Sequence, residues 1–304
     1  MKTDKGLALI VVLWVITLLT IMASSFSLTI QRESAITSGL KERAEAEALA
    51  EAGIHYAALM LFSSDEELRW KAFGSLYEIE FAGKKIRVQI ADESGKLNIN
   101  LATKDQLQQL ISSVILDEAL TDNLSDAIMD WRDANELRLL NGAEQQQYQD
   151  EGLDYEPRNA EFQSIEELQM VLGMTTQIYQ KLEGMLSVYT NTKEINPSTA
   201  TRDVLLTLPD ASEELVDDYL QQRVENERNG EPIVNPVWFK GSSKNSNVYM
   251  IISEAKIDKN ITKKLMVVIK KSNDKSEAFS LLKWSANYQG SSLFLASNDA
   301  RVVN

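Results

Sequence analysis

The chain contains no cysteine. That excludes a disulfide framework, a thiol nucleophile and any cysteine-ligated zinc or iron–sulfur centre. Histidine occurs once, at His55, so a multi-histidine metal site or a histidine-rich catalytic centre has no material. Basic residues are in deficit, with 31 Lys and Arg against 45 Asp and Glu and a net charge of −14. Such a surface is a poor match for a phosphate backbone, which argues against nucleic acid as a partner. What is present is ordinary for a folding chain: 44% hydrophobic and 25% charged residues, which exclude wholesale disorder, collagen and a polytopic membrane protein. The 304 residues suggest one or two domains plus extras.

Charge is missing altogether from one stretch. Residues 7–30, LALIVVLWVITLLTIMASSFSLTI, carry no ionisable side chain. A helix of that length spans about 36 Å, enough to cross the bilayer hydrocarbon. Lys2, Lys5 and the terminal amine flank it on the short side, which places that side in the cytoplasm and the rest of the chain outside. An ordinary secretory signal has a shorter apolar core, ~7–15 residues, so the run reads as a retained anchor rather than a removed one. From 31 to 62 the pattern stays helical, rich in Ala, Leu and Glu and uninterrupted by proline, so anchor and amphipathic stretch read as one continuous helix. His55 falls mid-helix and reads as structural, because no catalytic partner lies near it in sequence.

The period then changes. Residues 75–92, SLYEIEFAGKKIRVQIAD, alternate on both sides of Gly83 and predict a hairpin. Tyr77, Ile79 and Phe81 face one way, with Ile86, Val88 and Ile90 on the partner strand. Helices are expected near 103–116, 121–131, 142–149, 164–172, 176–184, 201–208 and 212–228, with Thr103, Ser164 and Thr201 as N-caps and Ser164 with Glu167 as a capping box. Strands return at 248–257, 264–271 and 278–288, joined by turns at 258–260 and 272–275. A helical block therefore interrupts an antiparallel sheet.

A weak repeat relates INLATKD at 99–105 to INPSTATRD at 195–203 with two residues inserted, and each copy leads an apolar helix in the manner of a helix-hairpin-helix unit. Such units grip phosphates through backbone N–H groups and nearby cations. Here acidic residues follow both copies, Asp117 to Asp130 after the first and Asp210 to Asp218 after the second, which opposes DNA.

Several segments resemble one family. A short basic leader ending in Gly6, followed by an apolar helix beginning at Leu7, resembles the class III signal of type IV pilins and pseudopilins. Leu7 stands where most such chains have Phe, and Val11 where most have Glu. The K-type minor pseudopilin of type II secretion systems typically lacks that Glu. Residues 127–186 resemble the K-type pattern closely: Asp130-Trp131-Arg132-Asp133, Gly142-Ala143-Glu144 with Tyr148, Tyr155 with Asn159, and Phe162, Ser164, Glu167-Leu168, Val171, Gly173.

The resemblance implies an α+β fold: a long N-terminal transmembrane helix, a pilin-like antiparallel sheet and a large inserted α-helical domain with helix-hairpin-helix-like elements. The expected organisation is a leader at 1–6, an anchor at 7–30, a helix spine at 31–62, the first part of the core at 63–94, the insertion at 95–190, helices and strands completing the core at 191–289, and a tail at 290–304. It further implies removal of the leader by prepilin peptidase between Gly6 and Leu7 and an anchor in the bacterial inner membrane with a periplasmic head. The implied role is a non-enzymatic subunit that caps and starts a pseudopilus, with I- and J-type minor pseudopilins and the major pseudopilin as partners. The alternatives are a membrane-anchored helix-hairpin-helix DNA-binding protein and a minor pilin of a type IV pilus.

Asp130, Asp133, Asn135, Glu136 and Glu144 offer hard oxygen donors close together, of the kind Ca2+ takes, although Ala134 breaks any EF-hand spacing. Asp130, Asp133, Asn135 and Glu144 are the candidate ligands, and the family resemblance implies calcium in this region. The alternative is a solvated helix end in which Asp133 pairs with Arg132 or Arg138.

Overall fold

The computed structural model describes residues 5–243, 245–257, 262–272, 277–286, 288–295 and 301–303. Residues 1–4 of the expected leader, and the expected turns at 258–260 and 273–275, lie outside the described residues.

One helix, α1 (Lys5–Leu61), runs through the apolar stretch and the amphipathic one without a break. The large apolar residues from Leu9 to Ile30 are 48–75% exposed, and α1 is long and apolar enough to cross a membrane. Its second half is different. Ala46, Leu49, Ala50, Ile54, Ala57, Ala58 and Leu61 recur at helical spacing and are buried against a sheet.

That sheet is built from β1 (Phe73–Phe81), β2 (Lys84–Asp92), β5 (Val248–Lys256), β6 (Thr262–Lys271), β7 (Phe279–Ser285) and β8 (Arg301–Val303), in the order β7-β6-β5-β2-β1-β8. All pairs are antiparallel except β8, which joins β1 in parallel from within the unassigned tail. The hairpin turns on Ala82 and Gly83, with φ of 50° and 73°. A two-residue loop with both central residues at positive φ is the geometry that matches strand twist. Ile86, Val88 and Ile90 of β2 face α1 together with Tyr249, Ile251, Leu265, Val267 and Ile269. Tyr77 joins that layer, whereas Phe81, expected on the same face, is 60% exposed beyond the end of the packed region.

Chain segments far apart in sequence meet at β2 and β5, from Lys85↔Lys256 to Asp92↔Tyr249. Everything between them is a helical body: α2 (Lys104–Ser112), α3 (Glu118–Arg132), α4 (Gln145–Asp150), a 3-10 turn (Ile165–Met170), α5 (Thr176–Leu182), α6 (Arg202–Leu206) and α7 (Glu213–Asn229). Two short parallel strands, β3 (Leu97–Asn98) and β4 (Leu186–Ser187), which the sequence pattern did not suggest, tie its base. A single apolar core runs from Leu97 through Trp131, Tyr148 and Leu186 to Val204, Leu205, Val216 and Tyr219. The expected boundary at 190 falls inside this core, because α6 and α7 pack on the helical body rather than on the sheet.

The Ser164–Glu167 capping box does not form. Ser164 makes no side-chain cap, the turn it begins is 3-10, and Glu167 Oε1 instead accepts the Gln163 N–H at 3.0 Å. Thr201 also caps without a side-chain bond. The box is found at Thr103, whose Oγ1 accepts the Gln106 N–H at 3.2 Å while Gln106 Oε1 accepts the Thr103 N–H at 3.0 Å.

The helical body sits at the end of the sheet away from the anchor. Along α1, Glu47 pairs with Lys263 at the start of β6, Gly53 meets Ser253 in mid β5, and Phe62, just past the helix end, lies 5.8 Å from the ring of Tyr249 at the start of β5. The chain leaves the sheet after Asp92 and returns at Val248, both at that far end.

Gly53 sets how closely α1 can lie on the sheet. A Cβ there would run into Ser253 Oγ and come within 2.7 Å of Ile86 Cγ2, on a side chain whose branched Cβ leaves it little freedom. Glycine to alanine at an unconstrained helix site gains about 1 kcal/mol. Gly53→Ala is expected to have the opposite sign, destabilising by about 1–3 kcal/mol through overpacking. Guanidinium unfolding of the detergent-solubilised chain checks the sign.

Candidate functional site

The acidic cluster forms where α3 ends and the chain loops back to start α4. Asp130, on the inner face of α3, is fully buried. Its carboxylate accepts the Leu139 N–H at 3.2 Å and a backbone bond from Ala143. The loop crosses directly over it: a Cβ at Gly142 would collide with Asp130 Oδ2, which explains the glycine of Gly-Ala-Glu. Asp133 caps the C-terminus of α3 and its Oδ1 accepts the Asn135 N–H at 2.9 Å. Asn135 is exposed, and its Oδ1 is taken by the Leu137 N–H at 2.8 Å.

Glu144, which precedes α4, is 5% exposed, and neither of its carboxylate oxygens has a hydrogen-bond partner. Two residues outside the four candidate ligands belong beside it. Glu136 accepts from Asn159 Nδ2 at 3.1 Å, and Asn159 Oδ1 is buried without a partner. Asn159 has a φ of 49°. Glu136 was already visible as a nearby oxygen donor. Asn159 was visible only as part of the Tyr155–Asn159 pattern.

The electrostatics are unfavourable as they stand. Burial, then the charges of Asp130, Asp133 and Glu136, push the Glu144 carboxyl up to about 7. Burial, with Asp133 and Asp126 beside it, pushes Asp130 up to about 6 against the opposing pull of the Leu139 and Ala143 N–H groups. Among the described residues no ion pair joins a cation to Asp130 or Glu144. Arg138 donates to the Leu139 and Leu140 carbonyls, and Arg132 donates to the Ile99 and Ala102 carbonyls while its charge reaches Asp133 but makes no ion pair with it among the described residues. Asp130, Asp133, Glu136 and Glu144 therefore share one electrostatic neighbourhood, whereas Asn135 Oδ1 is committed to its own turn. Among the described residues no three acidic groups are gathered tightly enough to enclose an ion as they stand. The donor chemistry nonetheless fits calcium: hard oxygens throughout, with three buried oxygen atoms on Glu144 and Asn159 lacking partners.

The aromatic members of the same segment do structural work. Trp131 lies 6.1 Å from the rings of both Tyr148 and Phe162, and the Tyr148 hydroxyl accepts the Leu172 N–H at 3.0 Å.

The repeat offers a second candidate site, and its geometry argues against phosphate binding. The equivalent hydrogen bonds align the two copies without a gap, as LNINLATKD at 97–105 and INPSTATRD at 195–203, which corrects the two-residue insertion. Asn98 and Asn196 each accept the N–H two residues on, and each offers its carbonyl to the N–H of Ala102 or Ala200. In the first copy Arg132 of α3 donates to the carbonyls of Ile99 and Ala102. In the second, Arg223 of α7 donates to the equivalent carbonyls of Pro197 and Ala200, at 3.1 and 2.7 Å. Lys104 pairs with Asp126 at 2.5 Å, and its counterpart Arg202 pairs with Asp217 at 2.6 Å. Each cation a phosphate would need is spent inside the fold.

Raised carboxyl pKa values make a signed prediction. Between about pH 4.3, the ordinary glutamate value, and 7 the folded chain binds more protons than the unfolded one, so stability falls as pH rises through that window. In chelator, the melting temperature is expected to drop from pH 5.5 to pH 8, and Glu144→Gln should flatten the drop and raise the temperature at pH 8. A Glu144→Gln profile parallel to that of the parent would contradict this.

Comparison with known proteins gives a consistent assignment. Residues 88–191 match the family model described as type II secretion system (T2SS), protein K. The type II secretion system protein K of Pseudomonas aeruginosa is 28% identical over 149 residues, covering 44% of each chain. That of Dickeya chrysanthemi is 28% identical over 122 residues, covering 38% of this chain and 33% of the relative. The matches thus span less than half the length of these curated relatives. The fold is shared with a chain in the crystal structure of the GspK-GspI-GspJ complex from the enterotoxigenic Escherichia coli type 2 secretion system, with a TM-score of 0.53 and 18% identity over 85% of this chain and 99% of that one. Across β2 and the first part of the helical body, the chain thus carries a segment that matches the type II secretion system protein K family, and both curated relatives are proteins of that description.

Proposed function

We propose that the chain is a minor pseudopilin that caps the periplasmic pseudopilus of a type II secretion system and helps to start its assembly. The observation that carries this reading is the position of the helical body, inserted between β2 and β5 at the end of the sheet farthest from the anchor. A filament grows by stacking subunits along their spine helices. A body of this size beyond the end of α1 occupies the place of a next subunit, so growth can continue only below it. Val11 agrees with a terminal place: a glutamate there would serve a neighbour's terminal amine, and the last subunit has fewer neighbours to serve.

The anchor at 7–30 would sit in the inner membrane with the head in the periplasm, and prepilin peptidase would cut after Gly6. Nothing in this role requires catalysis, and the internal use of Arg132, Arg223, Lys104 and Arg202 favours a protein partner over nucleic acid. I- and J-type minor pseudopilins are the proposed partners, since the shared fold comes from a complex described with both. The detergent-solubilised chain is expected to elute with purified I- and J-type subunits as one stable complex and to leave duplex DNA unshifted at micromolar concentration. Elution alone, with a salt-sensitive DNA shift, would reverse the reading in favour of a DNA-binding protein. N-terminal sequencing of the mature chain should begin at Leu7; retention of Lys2 would contradict the processing.

Calcium is proposed as a structural ion of the helical body. Glu144, Asp130 and Asp133 would hold it, with Glu136 and Asn159 alongside. Its charge would relieve the repulsion that raises Glu144 and Asp130 and would tie the end of α3 to the start of α4. An ion bound only by the folded state stabilises it by about 2.7 kcal/mol at a hundred times Kd. The melting temperature is therefore expected to rise in millimolar Ca2+ relative to chelator, and Asp133→Ala should remove most of that rise. A melting curve that ignores Ca2+ would overturn the calcium reading and leave Glu144 and Asp130 as buried carboxyl groups without a cation.

A further inference from the structure

The two edges of the sheet are treated differently. Edge β1 is covered by β8. Edge β7 pairs with β6 alone, so its outer row of backbone N–H and carbonyl groups has no strand beside it among the described residues. Unpaired edges are ordinarily blunted by outward charge, proline or a bulge. The sequence of β7, FSLLKWS, holds one charge, Lys283, and that side chain is turned to Glu166 of the helical body. A bulge is present, with Leu282 unmatched between Lys283↔Val268 and Leu281↔Ile269. It does not hide the apolar surface: Leu281, Leu282 and Trp284 are 54, 42 and 40% exposed.

The exposed residues continue the layer that faces α1. Leu281 stands opposite Ile269 and Trp284 opposite Val267, both of which are buried under the helix. The helix packs over β5, β6 and β2, and the apolar layer runs on past it to β7, where Phe279 packs against the core but Leu281, Leu282 and Trp284 stay exposed among the described residues. Charge is the second observation. The chain as a whole is −14, yet from residue 240 to the end eleven Lys and Arg face five Asp and Glu. Lys270 and Lys271, at the end of β6 beside Ser280 and Phe279, are exposed.

We infer that β7 is a docking edge for an acidic, strand-forming segment of a neighbouring subunit, which extends the sheet by one strand. Its backbone would pair with the open row of β7. Its apolar side chains would cover Leu281 and Trp284, and its carboxylates would face Lys270 and Lys271. This rests on the assembly reading above, because it names the surface through which one of those partners is held.

Hydrogen–deuterium exchange on the full chain in detergent, alone and mixed with purified I- and J-type subunits, tests it. The outward-facing amides of residues 279–285, which do not pair with β6, are expected to exchange quickly in the free chain and to become protected in the complex. Leu281→Glu and Trp284→Glu change exposed side chains, so their melting temperatures should match the parent, and each should weaken binding at least tenfold. Lys270→Glu should weaken it less. A complex that forms while residues 279–285 exchange as in the free chain, with both glutamate variants binding like the parent, overturns the docking edge and leaves the assembly reading standing. If no complex forms at all, both fall.

Discussion

Everything in this fold depends on the pairing of β2 with β5. The two strands are separated by residues 93–247, yet they meet in register from Lys85↔Lys256 to Asp92↔Tyr249 and form the middle of the sheet. Closing so long an excursion is affordable because loop-closure entropy grows only with the logarithm of length. It is also shortened in practice: β3 and β4 pair at the base of the helical body, Glu93 accepts from Ser187 Oγ at 2.5 Å, and Asn98 Nδ2 reaches the carbonyl and hydroxyl of Thr190. The excursion therefore carries its own core. What the sheet contributes is a fixed place for that core, at the end of α1 away from the anchor, and this placement is what gives the molecule a top.

Charge is distributed to match. The helical body uses the four cations around its repeat internally, with Arg132 and Arg223 holding equivalent carbonyls and Lys104 and Arg202 paired to equivalent aspartates. Its surplus carboxylates collect where α3 meets α4, where Glu144 is buried without a donor. A buried carboxylate in that state costs stability unless it is protonated or met by a cation. The sheet strands after residue 240 are basic by contrast, with exposed lysines beside an open, apolar edge. The junction of α3 and α4 is thus suited to a cation, and the β6–β7 edge to an acidic protein surface.

Much of this was legible in the sequence. The unbroken helix from anchor to spine, the hairpin at Gly83, the late strands and most helices follow from local periodicity, which needs no knowledge of the rest of the chain. The structure brings some of the four candidate calcium ligands together and leaves one apart. Asp130, Asp133 and Glu144 share one neighbourhood, but Asn135 spends its oxygen on the next turn, because a short polar side chain finds the nearest backbone N–H first. Ser164 failed as half of a capping box for a related reason: the turn after it is 3-10, so the N–H groups are not aligned as the box requires. Long-range features were hidden. The two-residue strands β3 and β4 are too short to carry a period, and nothing local says that α6 and α7 belong to the helical core. One signal was there to be read: Asp126 with Arg132 and Asp217 with Arg223 have the same spacing in the helices that follow the two repeat copies, and in both the first pairs with the repeat's cation while the second grips its turn.

The central claim is that the helical body gives this subunit a terminal place. Cryo-electron microscopy of pseudopili assembled with a gold-tagged version of this chain measures that place directly. The account predicts one tag per filament, at one end. Tags repeated along the filament shaft would show that other subunits stack above the helical body, and would contradict it.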